Sequence, residues 1–168
     1  ALTLAFAAIG EYWGLWWAPD TSQDGLTRYV LDTNVLSNIT KPAPLLPVTG
    51  WLEAQVQSTF FVASFSLGEI ERGILELPAG RKRDELAAWY YGARGPKARF
   101  FDTILAFDER AAAEWARLMA EGTATGRPRS VTDMIIAATA VANGCTVATL
   151  NDRDFRGAVA TFNPMTGK

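Results

Sequence analysis

The sequence contains no histidine and a single cysteine, Cys145. One cysteine excludes an internal disulfide and any cysteine-based zinc site, and its apolar surroundings predict a buried strand residue in a reducing, cytoplasmic protein. The absence of histidine excludes the Ser-His-Asp triad, the histidine-paired cysteine nucleophile and the histidine acid–base pair. Carboxylates are therefore the main groups left for hydrolytic chemistry, and carboxylate oxygens are the ligands that Mg²⁺ and Mn²⁺ prefer.

The charge balance is close to neutral, with a formal net charge of −2 over 168 residues. This argues against indiscriminate binding along a nucleic acid, although basic residues gather locally at 81–83, at 94–99 and at Arg127 and Arg129. A hydrophobic content of 49% in a chain of this length predicts one globular core.

Residues 1–26 differ in character from the rest of the chain. The first 17 residues carry one charge, Glu11, and three of the six tryptophans, and their apolar residues recur at helical spacing. No basic residue precedes this stretch and Gly10 and Gly14 interrupt it, so neither a secretory signal nor a membrane span is expected. Two parts are predicted: an apolar, Trp-rich N-terminal extension with its linker over 1–26, and a single domain over 27–168.

Apolar strand-like runs alternate with helical patterns throughout the domain. Strands are predicted at 29–31, 60–63, 103–107, 146–150 and 159–162, and helices at 47–56, 67–77, 81–91, 109–121 and 131–143. This order predicts an α/β fold with a central, mostly parallel sheet of about four to five strands and helices on both faces. In such sheets ligands bind outside the carboxyl ends of the strands.

Four acidic residues fall where strands or turns meet helices or loops: Asp32, Glu69, Asp133 and Asp154. Asp32 directly follows the first strand, Glu69 and Asp154 lie just beyond two others, and Asp133 opens a helix that a loop returns toward the same edge. Because unrelated helix caps would have no reason to cluster at one end of one sheet, the set predicts a divalent metal site.

Each acid also has a purely structural interpretation. Ser66 and Glu69 have the spacing of a capping box, and Ser130 and Asp133 form a weaker version of it. Asp32 is a good N-cap for a short helix at 35–39, and the choice between Asp152 and Asp154 stays open on spacing alone.

The motifs as a set resemble one known family. Residues 29–37, 63–74, 126–138 and 149–155 are similar to the four acidic motifs of PIN-domain nucleases, especially VapC-type toxins of bacterial toxin–antitoxin pairs and their FitB-like branch. The resemblance extends from residue 28 to about 164, and its Asn-x-x-Asp-Phe pattern favours Asp154 over Asp152.

The resemblance implies a PIN-like fold and a metal-dependent endoribonuclease in which the four acids bind Mg²⁺ or Mn²⁺ and carry the catalysis. Thr33, Asn34 and Asn151 would support these acids, and Arg127 and Arg129 are candidates for RNA phosphate contacts. Direct attack by water would leave a 5′ phosphate and a 3′ hydroxyl.

Family membership would also imply a cognate antitoxin, indirect DNA contact through it, and a homodimer formed by helices between residues 45 and 91. Two alternatives stay open: a housekeeping PIN nuclease in RNA maturation, and a non-catalytic partner in a DNA-binding repressor complex. Residues 1–26 depart from the family pattern. One hypothesis is that they occupy the antitoxin groove of this chain or of a neighbouring subunit; an upstream start site or an added extension would also explain them.

Overall fold

The centre of the fold is a five-stranded parallel sheet with the strand order β3-β2-β1-β4-β5. The computed structural model describes residues 25–39 and 43–168. The strands are β1 (Tyr29–Leu31), β2 (Phe60–Ala63), β3 (Ile104–Leu105), β4 (Thr146–Ala148) and β5 (Thr161–Phe162). Every pairing is parallel, and β1 lies in the middle, with Leu31 opposite Val62 of β2 and Ala148 of β4. The predicted α/β fold class is confirmed.

Seven α-helices connect and cover the strands in the described part of the chain. They are α1 (Thr33–Asn38), α2 (Leu46–Ala54), α3 (Ser64–Leu75), α4 (Arg81–Tyr91), α5 (Pro96–Arg99), α6 (Glu109–Ala124) and α7 (Val131–Ala142). Short 3₁₀ turns occupy Gln57–Thr59, Phe101–Thr103 and Asp152–Phe155.

Alternate strand residues pack into two separate hydrophobic cores, one on each face of the sheet. Val30 and Val147 pack with residues of α6 and α7, whereas Leu31, Val62 and Ala148 pack with residues of α1 to α4. This alternation is what a sheet covered on both faces requires, since successive side chains point to opposite sides. Cys145 is buried, as predicted, but it lies just before β4 and not in the strand.

The sequence predicted most element positions but not all their ends. The strand predicted over 103–107 is reduced to Ile104–Leu105, because a 3₁₀ turn precedes it and Phe107 beyond it is exposed. Helix α3 begins at Ser64, three residues earlier than predicted, and the short helix Pro96–Arg99 was not predicted. The helix predicted in the N-terminal extension lies outside the described residues. None of the described helices is long and apolar enough to cross a membrane.

Candidate active site

Asp32 occupies the centre of the edge where the parallel strands end. It follows β1, its backbone N–H donates to the Ala148 carbonyl at the end of β4, and its carboxylate caps α1 by accepting from the Thr33 N–H at 2.7 Å. The predicted N-cap role is therefore correct. It leaves the second carboxylate oxygen for another partner, the Thr149 hydroxyl, at 2.7 Å.

Burial makes Asp32 an unusual carboxylate. The residue is only 5% exposed. Removal from water, together with the nearby charges of Asp133 and Glu69, raises its pKa to about 6 despite the hydrogen bonds from Thr149 and Thr33. No lysine or arginine among the described residues forms an ion pair with it. Buried carboxylates are normally paired with a cation or bound to a metal.

Glu69 reaches the same edge from α3. Its Oε2 oxygen accepts a hydrogen bond of 2.7 Å from the Thr33 hydroxyl, which ties α3 to the end of β1. The capping-box interpretation is wrong, because α3 starts at Ser64 and Ser66 is already inside the helix, buried and without a hydrogen-bond partner in the described structure. Glu69 therefore lies in the second turn and does not cap the helix.

Asp133 approaches from the first turn of α7. The Ser130 hydroxyl caps this helix by accepting from the Asp133 N–H at 3.3 Å, so the cap predicted from the Ser130 and Asp133 spacing is present. Partial burial raises the pKa of Asp133, and the neighbouring Asp154 carboxylate raises it further, against a hydrogen bond from Ser130. Its position near the helix N-terminus favours the charged form.

Asp154, and not Asp152, faces the other acids. Asp154 lies in the 3₁₀ turn after β4, where the Asn151 amide donates a hydrogen bond to its Oδ2 oxygen. Asp152 turns away and accepts from the Asn163 amide at 3.3 Å. The geometry agrees with the choice that the Asn-x-x-Asp-Phe pattern favoured.

All four acids line one open cavity of about 280 Å³. The complete lining is Asp32, Thr33, Asn34, Ser37, Glu69, Asp133 and Asp154. No three acidic or cysteine side chains in residues 25–39 and 43–168 approach closely enough to form a ready-made metal cluster. The carboxylates line one cavity without forming such a cluster, and hydrogen bonds from Thr33 and Asn151 hold the Glu69 and Asp154 carboxylates in place.

Thr149 supports the site and was not predicted from the sequence. Its buried hydroxyl donates to Asp32 and accepts from the Asn34 amide at 3.1 Å and the Asn151 N–H at 3.0 Å. Asn34 also accepts from the Leu150 N–H, so it holds the loop after β4 and not Asp32 itself. The sequence feature that could have identified Thr149 is a polar residue directly after an apolar strand, the same feature that identified Asp32.

A second, larger cavity of about 690 Å³ adjoins the acidic one and shares Asp133 and Asp154 with it. Its lining includes four arginines: Arg127, Arg129, Arg153 and Arg156. Arg129 is committed to the protein, because its two terminal nitrogens donate to the Leu118 and Gly157 carbonyls at 2.7 and 3.1 Å. RNA contact by Arg127 or Arg129 stays a prediction. Of the two side chains, only that of Arg127 has no hydrogen bond or ion pair with another described residue.

This chain is similar to several known proteins in sequence and in structure. The sequence pattern of the PIN domain matches residues 29–159. The VapC ribonuclease Y4jK of Sinorhizobium fredii is 35% identical over 129 residues, covering 77% of this chain and 91% of the relative. Toxin FitB of Neisseria gonorrhoeae is 33% identical over 136 residues, covering 80% of this chain and 96% of FitB. The crystal structure of FitAcB from the same organism matches with a TM-score of 0.75 at 32% identity, covering 82% of this chain and 98% of that one.

Proposed function

Because the chain belongs to the PIN-domain family, in the branch of the VapC and FitB toxins, we propose that it is a divalent-metal-dependent endoribonuclease and the toxin of a toxin–antitoxin pair. The family assignment agrees with the resemblance seen in the sequence. The observation that carries the proposal is the convergence of Asp32, Glu69, Asp133 and Asp154 on one cavity at the carboxyl ends of parallel strands.

The donor set fits Mg²⁺ or Mn²⁺. Every acidic group that lines the cavity offers carboxylate oxygen, the ligand type of hard cations, and the buried Asp32 carboxylate lacks a cationic side-chain partner in the described structure. When bound, such a cation neutralises charge that develops on a phosphate and activates water. We assign the four acids as the residues that hold it.

Hydrogen bonds within the protein orient the acids. Thr33 fixes two of the acids at once, through its N–H to Asp32 and its hydroxyl to Glu69. Thr149 fixes the other oxygen of Asp32. Asp154, the exposed acid of the cavity, is suited to orient the attacking water and accept its proton. Attack of the water on phosphorus would break the bond from phosphorus to the 3′ oxygen, and that oxygen would take up a proton, which leaves a 5′ phosphate and a 3′ hydroxyl.

The test is the loss of RNA cleavage in Asp32→Asn, with Asp152→Asn as the matched control. Asp152 has the same side chain near the same edge but does not line the cavity. We expect Asp32→Asn to keep a native circular dichroism spectrum and lose cleavage with Mn²⁺, while Asp152→Asn cuts like the wild type. Sequencing of cleaved 5′ ends identifies the RNA. Full activity in Asp32→Asn would refute the assignment of the acids.

We also propose inhibition by a cognate antitoxin, since solved structural relatives include members of toxin–antitoxin systems and the relatives carry the names of toxins. These names favour a toxin over a housekeeping nuclease, and an intact set of four acids favours catalysis over a purely regulatory partner. Growth arrest on expression of this chain alone, relieved by co-expression of the cognate antitoxin, is the expected result. Absence of arrest by an enzyme that cleaves RNA in vitro would favour the housekeeping alternative. Homodimerisation and DNA contact through the antitoxin stay predictions.

A further inference from the structure

The cavity beside the acidic site has the opposite charge character. Arg127, Arg153 and Arg156 line it with exposed side chains, and none of the three forms an ion pair or side-chain hydrogen bond with another described residue. Arg129 forms its wall and is tied to Glu121 and to two backbone carbonyls. We call this cavity, with its three free arginines, the arginine groove.

The cavities that adjoin the acidic one at Glu69 lack unpaired cations among the described residues. Two neighbouring cavities share Glu69, and in the smaller one Glu69 is the only charged lining residue among those described. The larger one is lined chiefly by uncharged side chains, including Phe65, Phe107 and Ile135. Its one arginine, Arg72, is paired with Glu76 at 3.4 Å. A polyanion approaching the acids therefore meets unpaired positive charge on the Asp133 and Asp154 side.

An acidic nuclease site repels its own substrate, because RNA carries one negative charge per phosphate. The net charge of −2 supplies no general attraction, so attraction beyond that of a metal ion held by the acids must come from a local group of cationic side chains. Unpaired guanidinium groups suit this task, since their planar donors match phosphate oxygens. The arginine groove is continuous with the acidic cavity through the shared residues Asp133 and Asp154.

We propose that the arginine groove binds the backbone of single-stranded RNA next to the scissile phosphate, with Arg153 and Arg156 as its principal phosphate contacts and Arg127 as a further lining cation. This rests on the proposed nuclease function and names the path of its substrate. Arg153 precedes Asp154 in the 3₁₀ turn after β4, and Arg156 is the C-terminal cap of that turn. The residues proposed to hold the RNA backbone therefore belong to the same short segment as an acid of the cleavage site.

The test is the salt dependence of binding to a labelled single-stranded oligouridine of twelve nucleotides, measured by fluorescence anisotropy in EDTA. The double variant Arg153→Ala/Arg156→Ala should bind several-fold more weakly, and its slope of log affinity against log salt should be shallower by about 1.4, since each phosphate contact contributes roughly 0.7 on single strands. The control Arg81→Ala/Arg83→Ala removes the same charge from α4, outside the groove, and should keep the wild-type slope.

Equal slopes in the wild type and the groove variant, or equal losses in both double variants, would overturn the proposal. Displacement of the RNA by a glutamate homopolymer of the same charge at equal concentration would do so too, because it would show a general polyanion site. Cleavage of total cellular RNA by the wild type, the groove variant and Asp32→Asn is assayed in parallel. If cleavage requires Asp32 but the groove variant binds RNA like the wild type, only the groove proposal fails. If the groove variant loses RNA binding and none of the assayed proteins cleaves RNA, only the nuclease proposal fails.

Discussion

The Thr33 hydroxyl donates a hydrogen bond of 2.7 Å to Oε2 of Glu69, across 36 residues of sequence. It connects the first residue after the Asp32 cap to the second turn of α3, and the Thr33 N–H simultaneously holds Asp32. One residue thus sets the spacing of two acids.

Replacement of Thr33 by valine, which has nearly the same shape, removes the hydroxyl and keeps the N–H bond to Asp32. We expect a loss of roughly 10- to 100-fold in Mn²⁺ affinity or cleavage, the usual effect of deleting a hydrogen bond that orients a metal ligand. Stability without metal should change by less than about 1 kcal/mol, since one hydrogen bond is lost at a half-buried site. Mn²⁺ titration of the melting temperature measures the affinity. Thr33→Ser keeps the hydroxyl and should behave like the wild type; if Thr33→Val also does, Thr33 does not position Glu69.

The buried Asp32 carboxyl predicts a pH dependence of stability in the absence of metal. Its pKa is about 6 in the folded protein, against 3.8 for the unperturbed group. Between these values the folded state holds a proton that the unfolded state has released, so the free energy of unfolding falls as pH rises through the window. The loss is at most about 3 kcal/mol for a shift of this size.

Asp32→Asn removes this titration. Urea unfolding in EDTA at pH 4 to 7 should show the wild type losing stability relative to Asp32→Asn, whereas Asp152→Asn should keep the wild-type slope. The slope and not the absolute stability is the readout. Asp32 accepts from Thr33 and Thr149 with two different oxygens, and asparagine has a donor NH₂ group in place of one of them. Parallel curves for the wild type and Asp32→Asn would show that burial does not raise this pKa.

Substitution of Ser66 distinguishes the capping role that the sequence spacing suggested from the position inside α3 that the structure shows. A capping serine replaced by alanine costs about 0.5–2 kcal/mol. In the structure the Ser66 hydroxyl is buried and without a partner in the described residues, so Ser66→Ala should be neutral or stabilise by up to about 1 kcal/mol. Ser130→Ala, which removes the real cap of α7, should cost about 1 kcal/mol. Urea unfolding of both variants decides, and a comparable loss in the two would restore the capping box at Ser66.

The sequence predicted the strands and the edge where the acids meet, because both follow from local pattern. Apolar runs marked β1 and β4, and Asp32 follows β1 directly. What it missed depends on contacts between distant residues. The partner of Asp32 is Thr149, 117 positions away, and the spacing of Ser66 and Glu69 misled because β2 turns straight into α3 at Ser64.

Arg129 shows the same limit of prediction from sequence. Its charge suggested contact with RNA, but its observed contacts are with other residues of the protein. Its side chain is 14% exposed, its terminal nitrogens donate to Leu118 and Gly157, and its stem lies on Gly122, where an added Cβ would meet Cγ at 3.0 Å. Arg129 thereby fastens the loop before α7 to α6.

Arg129→Ala leaves two carbonyls without these donors and should lower the free energy of unfolding by about 1–3 kcal/mol. Arg127→Ala, two residues earlier and exposed, is the matched control and should stay within about 0.5 kcal/mol of the wild type, as surface substitutions usually do. Urea unfolding measures both. If Arg129→Ala were as stable as Arg127→Ala, the bonds to Leu118 and Gly157 would contribute nothing, and any loss of RNA binding in that variant would then reflect lost charge and not a displaced loop.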